Sequence, residues 1–91
     1  MEDGGGILKS KGKVIIANTG DDTLIFLDSK KRKIIDILDL KSIKNNFPIG
    51  PYELINMGNH LLYCTNIYDN SLYKIDISTK KVLDIIYTGS Y

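Results

Sequence analysis

Residues 61–81 read LLYCTNIYDNSLYKIDISTKK, and this stretch decides the fold. Its apolar and β-branched residues form two runs, 61–66 and 71–77, and the polar pair Asp69-Asn70 separates them. Short runs rich in Ile, Tyr and Thr and bounded by turn residues are typical of β-strands. Because no 3.6-residue period passes through the stretch, the sequence predicts a β-hairpin here rather than a helix.

The same pattern continues on both sides of this hairpin. Gly12, Gly20 and Gly58 interrupt the runs, and the neighbouring Asp and Asn side chains suit tight turns in which they bond their own backbone. An all-β fold with short antiparallel connections follows. The other predicted strands are 7–9, 13–18, 23–28, 33–40, 52–57 and 81–88.

The chain contains an internal repeat. A shift of 48 residues (66 − 18) pairs residues of the same type without a gap, and the pairs lie in turns and strand interiors. A single register across three strands indicates a duplicated four-stranded unit, with a first unit at 1–40, a connector at 41–51 and a second unit at 52–91. The identical pairs include Asn18/Asn66, Asp21/Asp69, Leu24/Leu72, Asp28/Asp76, Lys33/Lys81 and Asp36/Asp84.

The two units differ after their fourth strands. Asp36 and Gly50 are 14 positions apart (50 − 36), whereas Asp84 and Gly89 are 5 apart (89 − 84), so the first unit carries nine extra residues (14 − 5). The sequence Gly50-Pro51-Tyr52 returns as Gly89-Ser90-Tyr91, which predicts that a third unit would begin there.

The second unit resembles a YVTN-type β-propeller repeat, in the wider WD40-like class. The resemblance rests on residues 62–66, 69–72 and 75–82, with Cys64 in place of the valine that names the repeat. It implies two propeller blades, each a four-stranded antiparallel sheet, completed by further blades of a longer chain or by oligomerisation. It also implies a preference for extracellular or cell-surface locations, although residues 1–6 do not resemble a signal peptide.

Composition excludes several classes of protein. With 91 residues and a net charge of +1, the chain is one small domain without the field expected of a nucleic-acid binder. No apolar run approaches the roughly 20 residues that span a membrane. One cysteine, Cys64, and one histidine, His60, predict neither an intrachain disulfide nor a zinc site, and no cofactor or other metal site is indicated.

The candidate site residues come from the predicted strand directions. The turns after the second strand of each unit should lie on one rim with the connector, and lysine-rich turns should lie on the other. A small polar ligand or a protein could bind the first rim, although the same residue types also serve simply to form turns. The candidates are Asn18, Asp21, Asp22, Tyr52, Asn66, Tyr68, Asp69 and Asn70.

No catalytic residue is indicated. Asp28 and Asp76 recur at strand ends, where a carboxylate accepts bonds from the backbone of the next turn, and Cys64 lies within a strand as a small apolar residue. The sequence therefore predicts a non-enzymatic binding or scaffold module with protein or surface partners. The alternatives are a fragment of a lactonase-like propeller hydrolase and a self-assembling two-blade ring that binds a ligand.

Overall fold

The computed structural model describes residues 6–10, 12–44 and 47–89. Ser90 and Tyr91, used above to predict a third unit, lie outside these ranges, as do residues 1–5. The described part contains one short 3-10 helix, Lys41–Lys44, within the connector, and the sequence analysis did not predict it. Its eight strands are β1 (Ile7–Ser10), β2 (Lys13–Asn18), β3 (Thr23–Asp28), β4 (Lys33–Asp39), β5 (Pro51–Gly58), β6 (Leu61–Asn66), β7 (Ser71–Asp76) and β8 (Lys81–Tyr87).

The strands form two antiparallel sheets in sequence order, β1-β2-β3-β4 and β5-β6-β7-β8. The last strand pair of each sheet contains a β-bulge, between Phe26 and Leu27 in the first sheet and between Lys74 and Ile75 in the second. The two bulges are 48 residues apart, which is the offset of the sequence repeat. The all-β prediction and the duplicated four-stranded unit are therefore confirmed, with each strand boundary within one residue of the predicted one.

Backbone conformation repeats at the same offset. Asp22 and Asn70 have φ angles of 58° and 53°, and Arg32 and Lys80 have 56° and 58°. These left-handed conformations are unusual for residues other than glycine and occur mainly in turns. Although Gly20 lies in the same turn, the left-handed position there belongs to Asp22.

One face of each sheet packs against one face of the other, and this interface is the hydrophobic core. Phe26 and Tyr73 are its largest side chains and are fully buried. Full burial of a large apolar side chain contributes about 1.5–3 kcal/mol, so the interface is the main source of stability. The buried core residues are Ile15, Ala17, Leu24 and Phe26 from the first sheet, Leu62, Cys64, Tyr73, Ile75 and Ile77 from the second, and Leu40 and Ile49 from the connector.

The apolar run 24–27 was expected to be covered on both faces. In the structure Leu24 and Phe26 are buried against the second sheet, whereas Ile25 and Leu27 are half-buried on the opposite face. The alternation arises because successive strand residues point to opposite faces, and the described chain covers only one of them. The first sheet therefore has an apolar face that is not part of the core.

Turns at the lower end of each sheet, defined here as residues 12–13, 29–33, 59–60 and 77–81, form the lower rim. Gly12 O accepts a hydrogen bond from Ser29 N at 3.0 Å, and His60 O accepts one from Ile77 N at 2.7 Å. The basic tip at residues 30–33 is exposed, as expected for a solvated turn. Within the described residues, no helix is long and apolar enough to cross a membrane.

Candidate binding rim

Three loops meet at the opposite end of the two sheets, and residues 18–22, 40–52 and 66–70 are named here the upper rim. Gly50 N donates to the Asp22 carboxylate at 2.7 Å. Gly50 O accepts from Ile67 N at 2.8 Å, and Ile49 O accepts from Tyr68 N at 3.0 Å. These bonds cross between the sheets, so the structure brings together the loops that sequence reasoning assigned to one rim.

Asp22 anchors the connector to the first sheet. Its side chain is buried, at 5% exposure, and its carboxylate bonds Gly50 N while its carbonyl accepts from Leu40 N at 2.9 Å. The sequence analysis expected this carboxylate to bond within its own turn, but it bridges to a residue 28 positions away. The reason is that the connector returns over the turn and brings the Gly50 N–H to the carboxylate.

The corresponding turn of the second sheet contains a chain of side-chain hydrogen bonds. The Cys64 thiol donates to Asn66 Oδ1 at 3.4 Å, and Asn66 Nδ2 donates to Ser71 Oγ at 3.0 Å. The Ser71 hydroxyl donates to the Asp69 carboxylate. Asn66 and Ser71 are each 3% exposed, so the chain links the core to Asp69 at the rim and fixes the turn.

In the first sheet the equivalent link is direct. Asn18 Nδ2 donates to Asp21 Oδ2 at 3.3 Å, and Asp21 is exposed while Asn18 is half-buried. Asn66 and Asp22 therefore serve the interior of the rim. Asp21, Asp69 and Asn70 provide its accessible or partly accessible polar groups.

Aromatic and aliphatic side chains surround these polar groups. Tyr68 is 59% exposed and Tyr52 is 37% exposed, and Phe47 and Ile67 are exposed beside them. A Cβ added at Gly50 would lie 2.5 Å from Tyr68 Cδ2, so the tyrosine ring packs directly on the glycine backbone. Tyr68 is therefore an exposed ring held in place by its contact with Gly50, which has a φ of 70°.

The nine-residue insertion contributes to the core as well as to the rim. Leu40 and Ile49, at its two ends, are completely buried, and Thr19 Oγ1 donates to Pro51 O at 2.6 Å. Sequence reasoning treated this segment as a loop and missed these anchors. The available signal was the apolar pair flanking a polar segment, which is typical of a loop whose ends are buried.

A second concave feature lies at the outer edge of the inter-sheet interface. It is an open groove of about 660 Å³ between β4, the 3-10 helix and β8, and Ile43, Val82 and Ile85 are among its lining residues. Lys80 lies in its wall, where its Nζ is 3.7 Å from the Asp36 carboxylate and 5.5 Å from the centre of the Phe26 ring. Because these residues belong to different sheets, no pattern along the chain indicated the groove.

The ionisable groups outside the upper rim serve the fold. Burial raises the pKa of the Cys64 thiol to about 12, so this sulfur is protonated and a poor nucleophile at neutral pH. Asp28 accepts from Lys30 N and Lys31 N at 2.9 Å each, which confirms its predicted role at the turn, and the bond from Lys31 N lowers the pKa of its carboxyl. Among the described residues, no group of three or more His, Cys, Asp and Glu side chains could hold a metal ion.

Comparison with known proteins gives a structural relationship. No protein-family model and no curated protein sequence matches the chain. Hydrazine synthase from Kuenenia stuttgartiensis is similar in structure, with a TM-score of 0.76 and 19% identity. Glutaminyl cyclase from Myxococcus xanthus is also similar, with a TM-score of 0.65 and 20% identity.

Each similarity covers 94% of this chain, but only 23% of the hydrazine synthase chain and 36% of the glutaminyl cyclase chain. The chain therefore spans about a quarter to a third of these proteins, and identities of 19–20% establish the fold alone. The two four-stranded antiparallel sheets, packed face to face and repeated at a fixed offset, give this protein a β-propeller-type fold.

Proposed function

We propose that this protein is a non-enzymatic binding module whose upper rim takes a segment of a partner protein. The observation that carries the proposal is Tyr68, an exposed aromatic ring fixed on Gly50 and surrounded by acidic and amide groups. Tyrosines held in this way supply large contact areas at low entropic cost and are common at the centres of protein interfaces.

The surroundings of Tyr68 specify the chemistry of the partner. Ile67 and Phe47 add exposed apolar surface, while Asp21 and Asp69 place carboxylates beside it. A segment with apolar side chains and one or more lysines or arginines would complement this surface. The loops are joined to each other by backbone hydrogen bonds, so little ordering of the rim is required when the partner binds.

A finer assignment of the fold also belongs to this proposal. We propose that the repeated unit is a YVTN-type blade. The support comes from the motif residues at 62–66 and from the recurrence of turn conformation, bulge and turn-capping aspartate at one offset of 48 residues.

Photo-crosslinking tests the proposed rim. A photoreactive phenylalanine at position 68 should capture a defined partner from cells that express the protein, and the same group at Leu83 should not. Leu83 is a matched control because it is also more than half exposed, at 53%, but lies in the β8 bulge.

Affinity for the captured partner then gives the quantitative test. Tyr68→Ala should weaken binding by about 10-fold or more, as expected for a central interface tyrosine, and Leu83→Ala should leave it unchanged. Equal loss from both variants, or no loss from Tyr68→Ala, would contradict the proposal.

A further inference from the structure

The two sheets dock head to tail, so different faces meet at their interface. Ile15 and Phe26 of the first sheet are buried there, but their copies at the 48-residue offset, Tyr63 and Lys74, lie on the free face of the second sheet. An interface between two different faces of the same unit leaves one face of each kind unused. The described residues therefore carry both halves of a second interface, one on each outer side.

The free face of the first sheet matches the face that the second sheet buries. Cross-strand partners share a face, so the strand registers define its members. All seven positions are apolar in both sets. Ile7, Val14, Ile16, Ile25, Leu27, Ile34 and Ile37 correspond in order to Leu54, Leu62, Cys64, Tyr73, Ile75, Val82 and Ile85, which pack on the first sheet.

The free face of the second sheet is the counterpart of the face that the first sheet buries. Four of six core positions keep apolar residues, and Ile55 and Ile86 among them are 46% and 43% exposed. The two changes are Thr65 in place of Ala17 and Lys74 in place of Phe26. The six positions are Ile55, Tyr63, Thr65, Leu72, Lys74 and Ile86, copies of Leu8, Ile15, Ala17, Leu24, Phe26 and Leu38.

Charge supports the same pairing. Across the existing interface, Lys80 of the second sheet forms an ion pair with Asp36 of the first, at 3.7 Å. Their copies at the 48-residue offset are Arg32 and Asp84, which are both exposed on the outer sides. Arg32 has the same left-handed conformation as Lys80, with φ angles of 56° and 58°, so its side chain leaves the turn in the same direction.

We propose that the free face of the first sheet binds the free face of the second sheet of another copy of this chain, with Arg32 of one copy paired to Asp84 of the next. The occupant is a second copy because both complementary faces and both members of the ion pair are present in this one sequence. The association repeats the internal interface and leaves the upper rim accessible.

Lys74 marks where the new interface differs from the internal one. It lies directly opposite Asp84 in the β7–β8 register, so the docked arrangement groups Lys74, Asp84 and Arg32. The lysine replaces a large apolar contact by a charge that must be desolvated, which makes this interface weaker than the internal one. The copies therefore associate reversibly.

Complementary charge reversal provides the sharpest test, measured by sedimentation velocity over a concentration series. Arg32→Glu and Asp84→Lys should each weaken self-association by roughly 2- to 10-fold. An equimolar mixture of the two variants should recover it, because each interface between unlike variants then joins either the two introduced side chains, glutamate to lysine, or the two original ones, Arg32 to Asp84. Recovery in the mixture would also show that both variants are folded.

Two further variants bracket the effect. Ile37→Lys puts a charge on the free face at a position that is 53% exposed, and it should weaken association by about 10-fold or more. Ile43→Lys is its control, at an isoleucine 40% exposed in the 3-10 helix, outside both free faces. Lys74→Phe restores the residue of the first sheet and should strengthen association roughly 3- to 10-fold.

Three results would overturn the proposal. The first is a wild-type chain that stays monomeric at all concentrations while Lys74→Phe is monomeric too. The second is association that Ile37→Lys and Ile43→Lys affect equally. The third is a mixture of Arg32→Glu and Asp84→Lys that associates no better than either variant alone.

Discussion

Asp22 and Asn70 occupy the same position in two copies of one unit, yet their environments differ. Both residues adopt the left-handed conformation, and the carbonyl of each accepts a backbone bond from the residue 18 positions later. Asp22 is buried and bonds Gly50, whereas Asn70 is exposed. Local sequence thus sets the turn, and the connector that follows only the first copy determines what the side chain does.

Phe26 and Lys74 form a second pair of this kind. Each lies one residue before the bulge of its sheet, but Phe26 is fully buried between the sheets and Lys74 is half-buried on an outer face. The difference shows that one face of a repeated sheet can be core in one copy and surface in the other. Substitutions at equivalent positions therefore separate what the unit contributes from what the interface contributes.

The largest expected difference is at this pair. Phe26→Ala should lower the free energy of unfolding by about 3–5 kcal/mol, because it removes a buried ring and leaves a cavity between the sheets. Lys74→Ala, on the outer face, should change it by less than about 0.5 kcal/mol in dilute solution. Urea unfolding followed by circular dichroism measures both.

Cys64 gives an independent reading of the same comparison. Its thiol is fully buried in the interface, so alkylation requires the sheets to separate or the chain to unfold. Phe26→Ala should accelerate alkylation, and the smaller change Phe26→Leu serves in its place if the full truncation prevents folding. Equal rates for Phe26→Leu and Lys74→Ala would show that the interface does not depend on the ring.

An intermediate effect is expected at the turn pair. Asp22→Ala leaves the buried Gly50 N–H without its acceptor, so it should cost about 1–3 kcal/mol more than Asn70→Ala. Both substitutions place alanine at a positive φ, and that common cost cancels in the difference. Thermal or urea unfolding of the two variants provides the comparison, and Asp22→Asn, which keeps an acceptor oxygen, should lie between Asp22→Ala and the wild type. Equal destabilisation at the two positions would contradict the anchoring role of Asp22.

The smallest effect concerns pH. The pKa of Asp28 is lowered from its ordinary value of 3.8, first through the backbone hydrogen bond from Lys31 and further through that from Lys30 and the Lys31 charge. Its contribution is therefore present above about pH 3.8 and is lost as the pH falls through the lower folded-state value. The stability difference between the wild type and Asp28→Asn should shrink below about pH 4.

A companion variant separates the two parts of this effect. Lys31→Gln keeps the backbone N–H that bonds Asp28 but removes the positive charge. Because the hydrogen bond is the larger cause, Lys31→Gln should retain most of the pH dependence, as measured by unfolding at several pH values. A difference between the wild type and Asp28→Asn that does not vary with pH would refute the assignment.

Much of the candidate rim was accessible to sequence reasoning because it follows from strand alternation. Once eight strands and their turns are placed, the loops before β3, before β5 and before β7 must lie at the same end. The partners of individual side chains did not follow. Asp22 bonds a residue 28 positions away, and Tyr68 rests on Gly50, because the path of the insertion brings these atoms together.

The sequence by itself determined the strands, the turns, the repeat and the capping role of Asp28, since these depend on residues within a few positions or on pattern along the chain. Only the tertiary structure decided which face of each sheet became core, where Lys80 found Asp36 and Phe26, and which acidic groups stayed exposed. The physical reason is that both faces of these sheets are apolar enough to be buried. Burial is therefore assigned by the element that packs against a face, and the residues of that face alone do not specify it.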